Sequence, residues 1–288
     1  ICTCDKIVPG MLMAAARLNI PTIFVTGGPM RPGKYKDKEI VVFDLARANR
    51  EFWSGKLSPE EFYEMLSSAC PGPGACNLLG TANTMGCMTE ALGMSLPGCA
   101  ASLAEDTKKI SIAENSGTQI MKLIENDLRP STILTKEAFE NAIRVDMAIG
   151  GSTNTALHLP AIANEMNIKI DLNDFDRLSR ETPTLCKIKP NGPYNFTDLE
   201  KVGGLPAVMK RLEPLLHLEA MTVSGQTLSQ NLREVRVQND DVIRPLDKPY
   251  MKDGGIVALR GNLAPDGAVV KVSAVHPSML VHSGPARV

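Results

Sequence analysis

The densest chemistry in this chain lies in its first ten positions, Ile1-Cys2-Thr3-Cys4-Asp5-Lys6-Ile7-Val8-Pro9-Gly10. Cys4, Asp5 and Lys6 set a soft ligand, a hard ligand and an amine side by side. Pro9 opens an apolar run, Met11 to Leu18, that reads as a helix. Proline suits the first helical position, because its missing N–H would have no partner there. The triplet is therefore expected just ahead of a helix N-terminus, where free N–H groups and the dipole favour a thiolate or a carboxylate. Taken alone, it reads first as a small buried cysteine beside a surface ion pair.

A second constellation follows at Cys70-Pro71-Gly72-Pro73-Gly74-Ala75-Cys76-Asn77-Leu78-Leu79-Gly80-Thr81-Ala82-Asn83-Thr84-Met85. Proline and glycine fix a loop up to about Cys76, and a helix is expected from there to about Met94, so that Cys76 also stands near a helix start. Four chemistries compete for these residues. The glycine loop ahead of a helix offers N–H groups to a phosphate, but no P-loop ending and no Gly-x-Gly-x-x-Gly is present. Structural zinc sites prefer two to four intervening residues; Cys2 and Cys4 have one between them, Cys70 and Cys76 five. A nucleophilic cysteine needs a base. The histidines are His158, His217, His276 and His282; none lies in a motif that suggests pairing, and His158 in Ala156-Leu157-His158-Leu159 reads as a satisfied core or interface side chain. Last, two thiolates hold an iron–sulfur cluster while adjacent hard ligands hold Mg²⁺. That pairing suits a substrate carrying a carboxylate and neighbouring hydroxyls, because one Lewis acid holds the acid end while the other draws off a hydroxyl.

The elements that must position these groups are mostly helical. Ile20-Pro21-Thr22-Ile23-Phe24-Val25-Thr26-Gly27-Gly28-Pro29 reads as a buried strand feeding a tight loop. Residues 31–38 are basic and exposed in character. Helices are expected over 39–54, 59–69, 106–126, 136–148, 154–166, 174–181 and 205–212, the second with a Ser58 cap and Pro59. On 106–126 the apolar face is Ile110, Ala113, Gly117, Ile120, Met121 and Ile124. Gly150-Gly151-Ser152-Thr153-Asn154-Thr155 is a turn leading into a helix, and Leu185 to Ile188 reads as a strand. Residues 255–261 and 267–273 read as two strands joined through Asn262-Leu263-Ala264-Pro265-Asp266.

The 288 residues hold 43% hydrophobic residues and a net charge of −1. That balance gives a substantial core and points away from nucleic acid or a membrane surface as partner. No apolar run approaches the roughly 20 residues that span a bilayer. Seven cysteines in a long, Met-rich chain point to reduced thiols, and hence to cytoplasm or an organellar matrix or stroma. The chain begins inside a motif without Met and reads as an internal piece of a longer protein.

The stretch Cys4-Asp5-Lys6-x-x-Pro9-Gly10 resembles the signature of the dihydroxy-acid and 6-phosphogluconate dehydratase family. Phe24-Val25-Thr26-Gly27-Gly28-Pro29-Met30, Pro71-Gly72-Pro73-Gly74-Ala75-Cys76, Thr81-Ala82-Asn83-Thr84-Met85, Thr89 to Gly98, Gly150 to Thr155 and Gly261-Asn262-Leu263-Ala264-Pro265 resemble it too, in the family's order from end to end. Leu157 to Ala163 looks most similar to the branched-chain amino-acid enzymes, whereas Cys76 to Ala82 leans toward the sugar-acid dehydratases. The resemblance implies an α/β fold. Residues 1–245 would be a three-layer α/β/α domain with a largely parallel sheet, and 246–288 the first strands of a β-barrel-like domain.

The resemblance also implies roles. Cys4 and Cys76 match two of three ligands to an iron–sulfur cluster, 2Fe–2S or 4Fe–4S. Asp5 matches a Mg²⁺ ligand, and Lys6 the lysine that is carboxylated on its amine and binds Mg²⁺ as a carbamate. Pro73 stands where some members carry a cysteine, so it is no ligand here. Cys70 is a weak ligand candidate, Cys2 and Cys87 weaker, and Cys99 and Cys186 structural. Asn83, Thr84, Ser152, Thr153 and Asn154 are candidates to line the substrate pocket, with capping and turn roles as the plainer alternative. The family's serine base, its third cluster cysteine and its other Mg²⁺ ligands are expected outside residues 1–288, so this stretch is expected to hold half a site and to be inactive alone. The implied reaction dehydrates a 2,3-dihydroxy acid, 2,3-dihydroxy-3-methylbutanoate, to the 2-oxo acid in a homodimeric enzyme; the competing readings are a sugar-acid or 6-phosphogluconate dehydratase and a non-catalytic relative that binds an acidic ligand through its glycine loops.

Overall fold

The computed structural model describes residues 1–285; the last three residues of the 246–288 stretch lie outside the described residues. Helices carry most of the architecture. The first, α1 (Ile7–Leu18), starts two residues before Pro9 and buries Val8, Leu12, Ala15 and Ala16. Its opposite side leaves Ile7, Met11 and Leu18 exposed. A small antiparallel hairpin follows, β1 (Gly33–Tyr35) and β2 (Lys38–Ile40), and then α2 (Val42–Trp53) and α3 (Pro59–Ser68). The start of α3 is the capping box expected from sequence: Glu61 N–H donates to Ser58 Oγ, Glu61 accepts from Ser58 N–H, and Pro59 needs no partner.

Next come α4 (Thr81–Ala91), α5 (Thr107–Glu125), the single turn α6 (Pro130–Ile133) and α7 (Lys136–Ile149). Two of these form the centre, and their sequences explain why. Every residue of α4 from Ala82 to Ala91 is buried. So is every residue of α7 from Asn141 to Ile149. A helix with small or apolar residues on all sides belongs inside. Around them pack α8 (Thr155–Glu165), α9 (Leu172–Glu181), α10 (Phe196–Lys201), α11 (Gly204–Arg211) and α12 (Leu228–Leu232). One core runs from Leu12 through Met85, Met88, Phe139 and Ile143 to Val208 and Ile256.

The α5 helix departs from the expected orientation. It buries Lys109, Ile112, Ser116 and Leu123, whereas Ile110, Met121 and Ile124 stay exposed. The buried Lys109 amine sets this rotation. It donates to Thr26 O at 3.0 Å and to Cys99 O.

The fold is mixed α/β. Among the described residues the named strands form two two-stranded antiparallel sheets. A continuous parallel sheet between helical layers is not among them. Its place is taken by single parallel bridges, Cys2 to Thr26 and Phe24 to Ser95, on either side of one extended segment. Each neighbour touches that segment for a residue or two and then turns away, too briefly for a ladder. Leu185 to Ile188 likewise pairs only through isolated bridges.

After α12 the chain builds one hairpin, β3 (Val257–Gly261) and β4 (Ala264–Val270), and two short 3-10 turns, with no closed barrel among the described residues. This hairpin begins close to the core. Gly255 N–H donates to Met147 O at 2.9 Å, and Ser273 N–H to Gly255 O at 3.2 Å. A Cβ on Gly255 would lie 2.5 Å from Gly150 Cα, so the two glycines let the backbones touch. No helix among the described residues is long and apolar enough to cross a membrane.

Glu90 ties the end of α4 to the following loop. Its two oxygens accept from Gly98 N–H and Ala100 N–H, each at 2.7 Å. Burial pushes this carboxyl up to about 7, against the pull of the two N–H bonds. Replacing Glu90 by Gln turns an amide N–H₂ toward a backbone N–H and is expected to cost about 1–3 kcal/mol. Because the folded carboxyl titrates above its ordinary 4.5, its own contribution to stability is fully present below that value and is lost as pH rises through about 7. Denaturant midpoints across pH should show Glu90→Gln both less stable and flatter; an equally stable, equally sloped variant would refute the bonding described.

Candidate metal centre

The first bridge fixes the amino-terminal triplet. Cys2 N–H donates to Val25 O at 3.2 Å, and Gly27 N–H to Cys2 O at 3.0 Å. Two residues on, Cys4 adopts φ +81, a left-handed backbone that L side chains avoid. The bend turns the chain from the bridge into α1, with Lys6 at the N-cap. Pro9 thus sits inside the first turn, where an N–H has no intrahelical partner. Cys4 is exposed, and its Sγ lies 3.9 Å from Asp5 Oδ1.

Cys76 is held from the other side of the same loop. Ala75 N–H donates to Gly28 O at 2.9 Å, and Met30 N–H to Ala75 O at 2.8 Å. Gly74 must be glycine here: its φ is +128, and a Cβ would lie 2.6 Å from Met30 N. Cys76 is not at a helix N-terminus, contrary to the sequence expectation, since α4 begins only at Thr81. Asn83 is the physical reason. Its side-chain amide reaches out of α4 to donate to Cys76 O and to Leu78 O, the latter at 2.9 Å, and so holds residues 76–80 as a loop. Two exposed thiols therefore flank one short segment, Thr26 to Met30.

Lys6 crosses to α8. Its Nζ lies 3.4 Å from Asn154 Oδ1, 3.5 Å from His158 Nε2 and 3.7 Å from Asp5 Oδ2. Asn154 and His158 are one turn apart and present adjacent acceptors. Burial lowers the pKa of His158, and the charge of Lys6 lowers it further, with Asp5 opposing. A neutral imidazole can accept from the amine. At the far ends of α1 and α8, Arg17 grips Glu165 through two bonds of 2.8 and 2.7 Å and sets the helices in register.

The Gly150–Asn154 turn meets the start of α4. Thr81 Oγ1 lies 2.8 Å from Ser152 Oγ, and Asn154 Nδ2 donates to both hydroxyls at 2.9 and 3.1 Å. Thr153 is partly exposed on the same turn. Thr84 is fully buried beneath it, its hydroxyl without a partner among the described residues. Of the five pocket candidates, Asn154 thus meets Lys6, Ser152 is joined to Asn154 and Thr81, Thr153 lies partly exposed on the same turn, Asn83 shapes the Cys76 loop, and Thr84 is buried. Sequence reading missed His158 and Thr81 as neighbours of the triplet. The usable signal was the four-residue spacing from Asn154 to His158.

Exposure sorts the thiols. Cys4, Cys70 and Cys76 are exposed, whereas Cys2, Cys87, Cys99 and Cys186 are buried. Burial pushes Cys186 up to about 12 and Cys87 well above its ordinary value, which makes both unreactive. Among the described residues no three His, Cys, Asp or Glu side chains converge as a ready metal site. The donors present fit soft and hard metals in kind, two accessible sulfurs and a carboxylate beside an amine, and are partial in number.

Comparison with known proteins gives the family. Residues 1–231 match the dihydroxy-acid/6-phosphogluconate dehydratase N-terminal model, and residues 241–288 the corresponding C-terminal model. The chain belongs to this dehydratase family. It is 52% identical over 287 residues to the dihydroxy-acid dehydratase of Methanosphaera stadtmanae, covering 99% of this chain and 52% of the relative. Identity is 53% to the protein of that name from Methanobrevibacter smithii and 52% to that from Caldicellulosiruptor bescii, with the same coverage. The chain spans about half the length of the curated relatives it matches.

Two outcomes follow for this family member. Iodoacetamide under native, metal-free conditions should label Cys4, Cys70 and Cys76 and spare the four buried thiols, as read by peptide mass spectrometry; labelling of Cys87 or Cys186 would contradict the packing. Cys4→Gly relieves the left-handed backbone and Cys4→Ala does not, so the glycine variant should be about 1 kcal/mol more stable than the alanine variant. Equal unfolding midpoints would show that Cys4 carries no strain.

Proposed function

We propose that this chain is the cluster- and magnesium-holding part of a dihydroxy-acid dehydratase. The whole enzyme would convert a 2,3-dihydroxy acid, 2,3-dihydroxy-3-methylbutanoate, to its 2-oxo acid in branched-chain amino-acid biosynthesis. The observation that carries this reading is identity of about half, from end to end, with proteins of that name. The meeting of Lys6 with Asn154 and His158 next to an exposed thiol supports it.

Cys4 and Cys76 would hold the iron–sulfur cluster, and Asp5 and Lys6, the latter as a carbamate, the Mg²⁺. When bound, the two groups supply Lewis acids for a departing hydroxyl and for the carboxylate end of the substrate. The residues of this chain do the positioning. The backbone bonds at Cys2 and Ala75 hold the two sulfurs on one loop. Asn154 and His158 offer acceptors to the exposed Lys6 Nζ on one side. Ser152, Thr153 and Asn154, with Thr81, offer hydroxyl and amide groups to a polyhydroxy acid, and Asn83 and Thr84 support them from α4. The proton at C2 is taken by no residue assigned here. Residues 1–245 form the metal-holding domain of this reading and 246–288 the start of a second, β-rich one. A homodimer would be the assembly of the whole protein.

The test is anaerobic iron and sulfide analysis of the full-length protein, assayed with 2,3-dihydroxy-3-methylbutanoate and with 6-phosphogluconate. Stoichiometric iron, turnover of the first substrate, and loss of iron in Cys4→Ser and Cys76→Ser are expected. Preference for the phosphorylated sugar acid would move the enzyme to the family's other branch. A well-folded, iron-free protein that dehydrates neither acid would overturn the reading.

A further inference from the structure

Beneath the Gly150–Asn154 turn lies a carboxyl that no role above uses. Asp146, on α7, is fully buried. Its Oδ2 lies 2.6 Å from Thr155 Oγ1, and that same hydroxyl lies 2.7 Å from Ser152 O. Both separations are those of good O–H···O bonds. A threonine hydroxyl has one proton and so donates once, although it accepts as well. With an ionised Asp146, Thr155 would face two pure acceptors with one proton. One of the two short contacts would then be oxygen against oxygen with nothing between. A proton on Asp146 resolves this: Oδ2–H donates to Thr155 Oγ1, and Thr155 O–H donates to Ser152 O.

The surroundings agree. Lys271, on the segment after β4, lies near enough to feel the charge of Asp146 but donates to Leu79 O at 3.2 Å, and the ion pairs among the described residues do not include one between it and Asp146. Cys87 approaches from α4 as a neutral thiol. Burial pushes Asp146 up to about 7, with the Thr155 bond and Lys271 opposing, and pushes Lys271 down to about 8. Gly151 makes the close approach possible, since a Cβ there would sit 1.9 Å from Asp146 Oδ1.

We propose that Asp146 is a positioning residue that works as a neutral carboxylic acid, locking Ser152 O through Thr155 so that Asn154 is held against Lys6. The path is continuous. Asp146 fixes Thr155 and the Ser152 carbonyl, Ser152 Oγ and Asn154 share Thr81, and Asn154 Oδ1 meets Lys6 Nζ. The role toward Lys6 rests on the reading of Lys6 as a Mg²⁺-holding residue.

The test uses the full-length protein with Asp146→Asn, Asp146→Leu, Thr155→Val and Thr155→Ser. Thr155→Val matches the shape of threonine and guards against Asp146→Leu simply failing to fold. The readouts are the Mg²⁺ concentration for half-saturation, kcat against KM, the unfolding midpoint, and the infrared band of a protonated carboxyl. Thr155→Val and Asp146→Leu should raise the Mg²⁺ requirement roughly 10- to 100-fold. Asp146→Asn and Thr155→Ser should recover most of that loss, because an amide N–H₂ or a serine O–H restores the donor. The protonated-carboxyl absorption of the wild type should lose the Asp146 contribution in Asp146→Asn and keep that of Glu90, which Glu90→Gln removes. Asp146→Asn as damaging as Asp146→Leu, or an absent Asp146 contribution, overturns the neutral acid. A lower midpoint in Thr155→Val with an unchanged Mg²⁺ requirement overturns the positioning role. A wild type that takes up no Mg²⁺ overturns that role together with the reading it rests on, and the metal-free carboxyl band still decides the proton on Asp146.

Discussion

Everything at the candidate metal centre hangs from the two edges of a five-residue segment, Thr26-Gly27-Gly28-Pro29-Met30. On one edge it bonds to Cys2, on the other to Ala75, in both cases through backbone groups alone. Side-chain substitution cannot easily break such bonds, whereas a lost glycine can. A Cβ on Gly28 would lie 2.3 Å from Ser102 O, and its φ of +80 already excludes most residues. The backbone positions of the Cys4 and Cys76 segments are thus set by main-chain geometry, and both side chains are exposed.

This clamp needs something rigid beneath it, and α4 and α7 supply it. Both are buried along nearly their whole lengths, so neither can tilt without opening the core. Polar groups inside them do the local fastening. Asn83 shapes the Cys76 loop, Glu90 the loop at Gly98, and Asp146 the turn at Ser152. A buried polar group costs stability unless it is satisfied, so each specifies one conformation of the loop it touches.

Much of the framework was legible in the sequence because local rules governed it. The Ser58-Pro59-Glu60-Glu61 cap, the long helix near 106–126 and the Gly150 turn formed where their residues said they would. The failures have physical causes. The hairpin at Gly33–Ile40 turns at Lys36, whose positive φ is not the glycine or asparagine that signals such a turn. The Phe24 segment looked like a strand, but pairing is a property of its neighbours, which bridge it once each. Helix α4 began late because Asn83 spends its side chain on the preceding loop. At the site, the triplet and Cys76 stood out by residue type. His158 did not, because its neighbour Lys6 lies 152 positions away in sequence.

The left-handed backbone at Cys4 has a bearing on how such a site persists through generations. A single base change converts a cysteine codon to a glycine codon, and glycine is the residue that this backbone accepts without strain. Mutation and folding stability therefore push this position in the same direction. Glycine would be easier on this backbone, and what cysteine adds at the position is its sulfur.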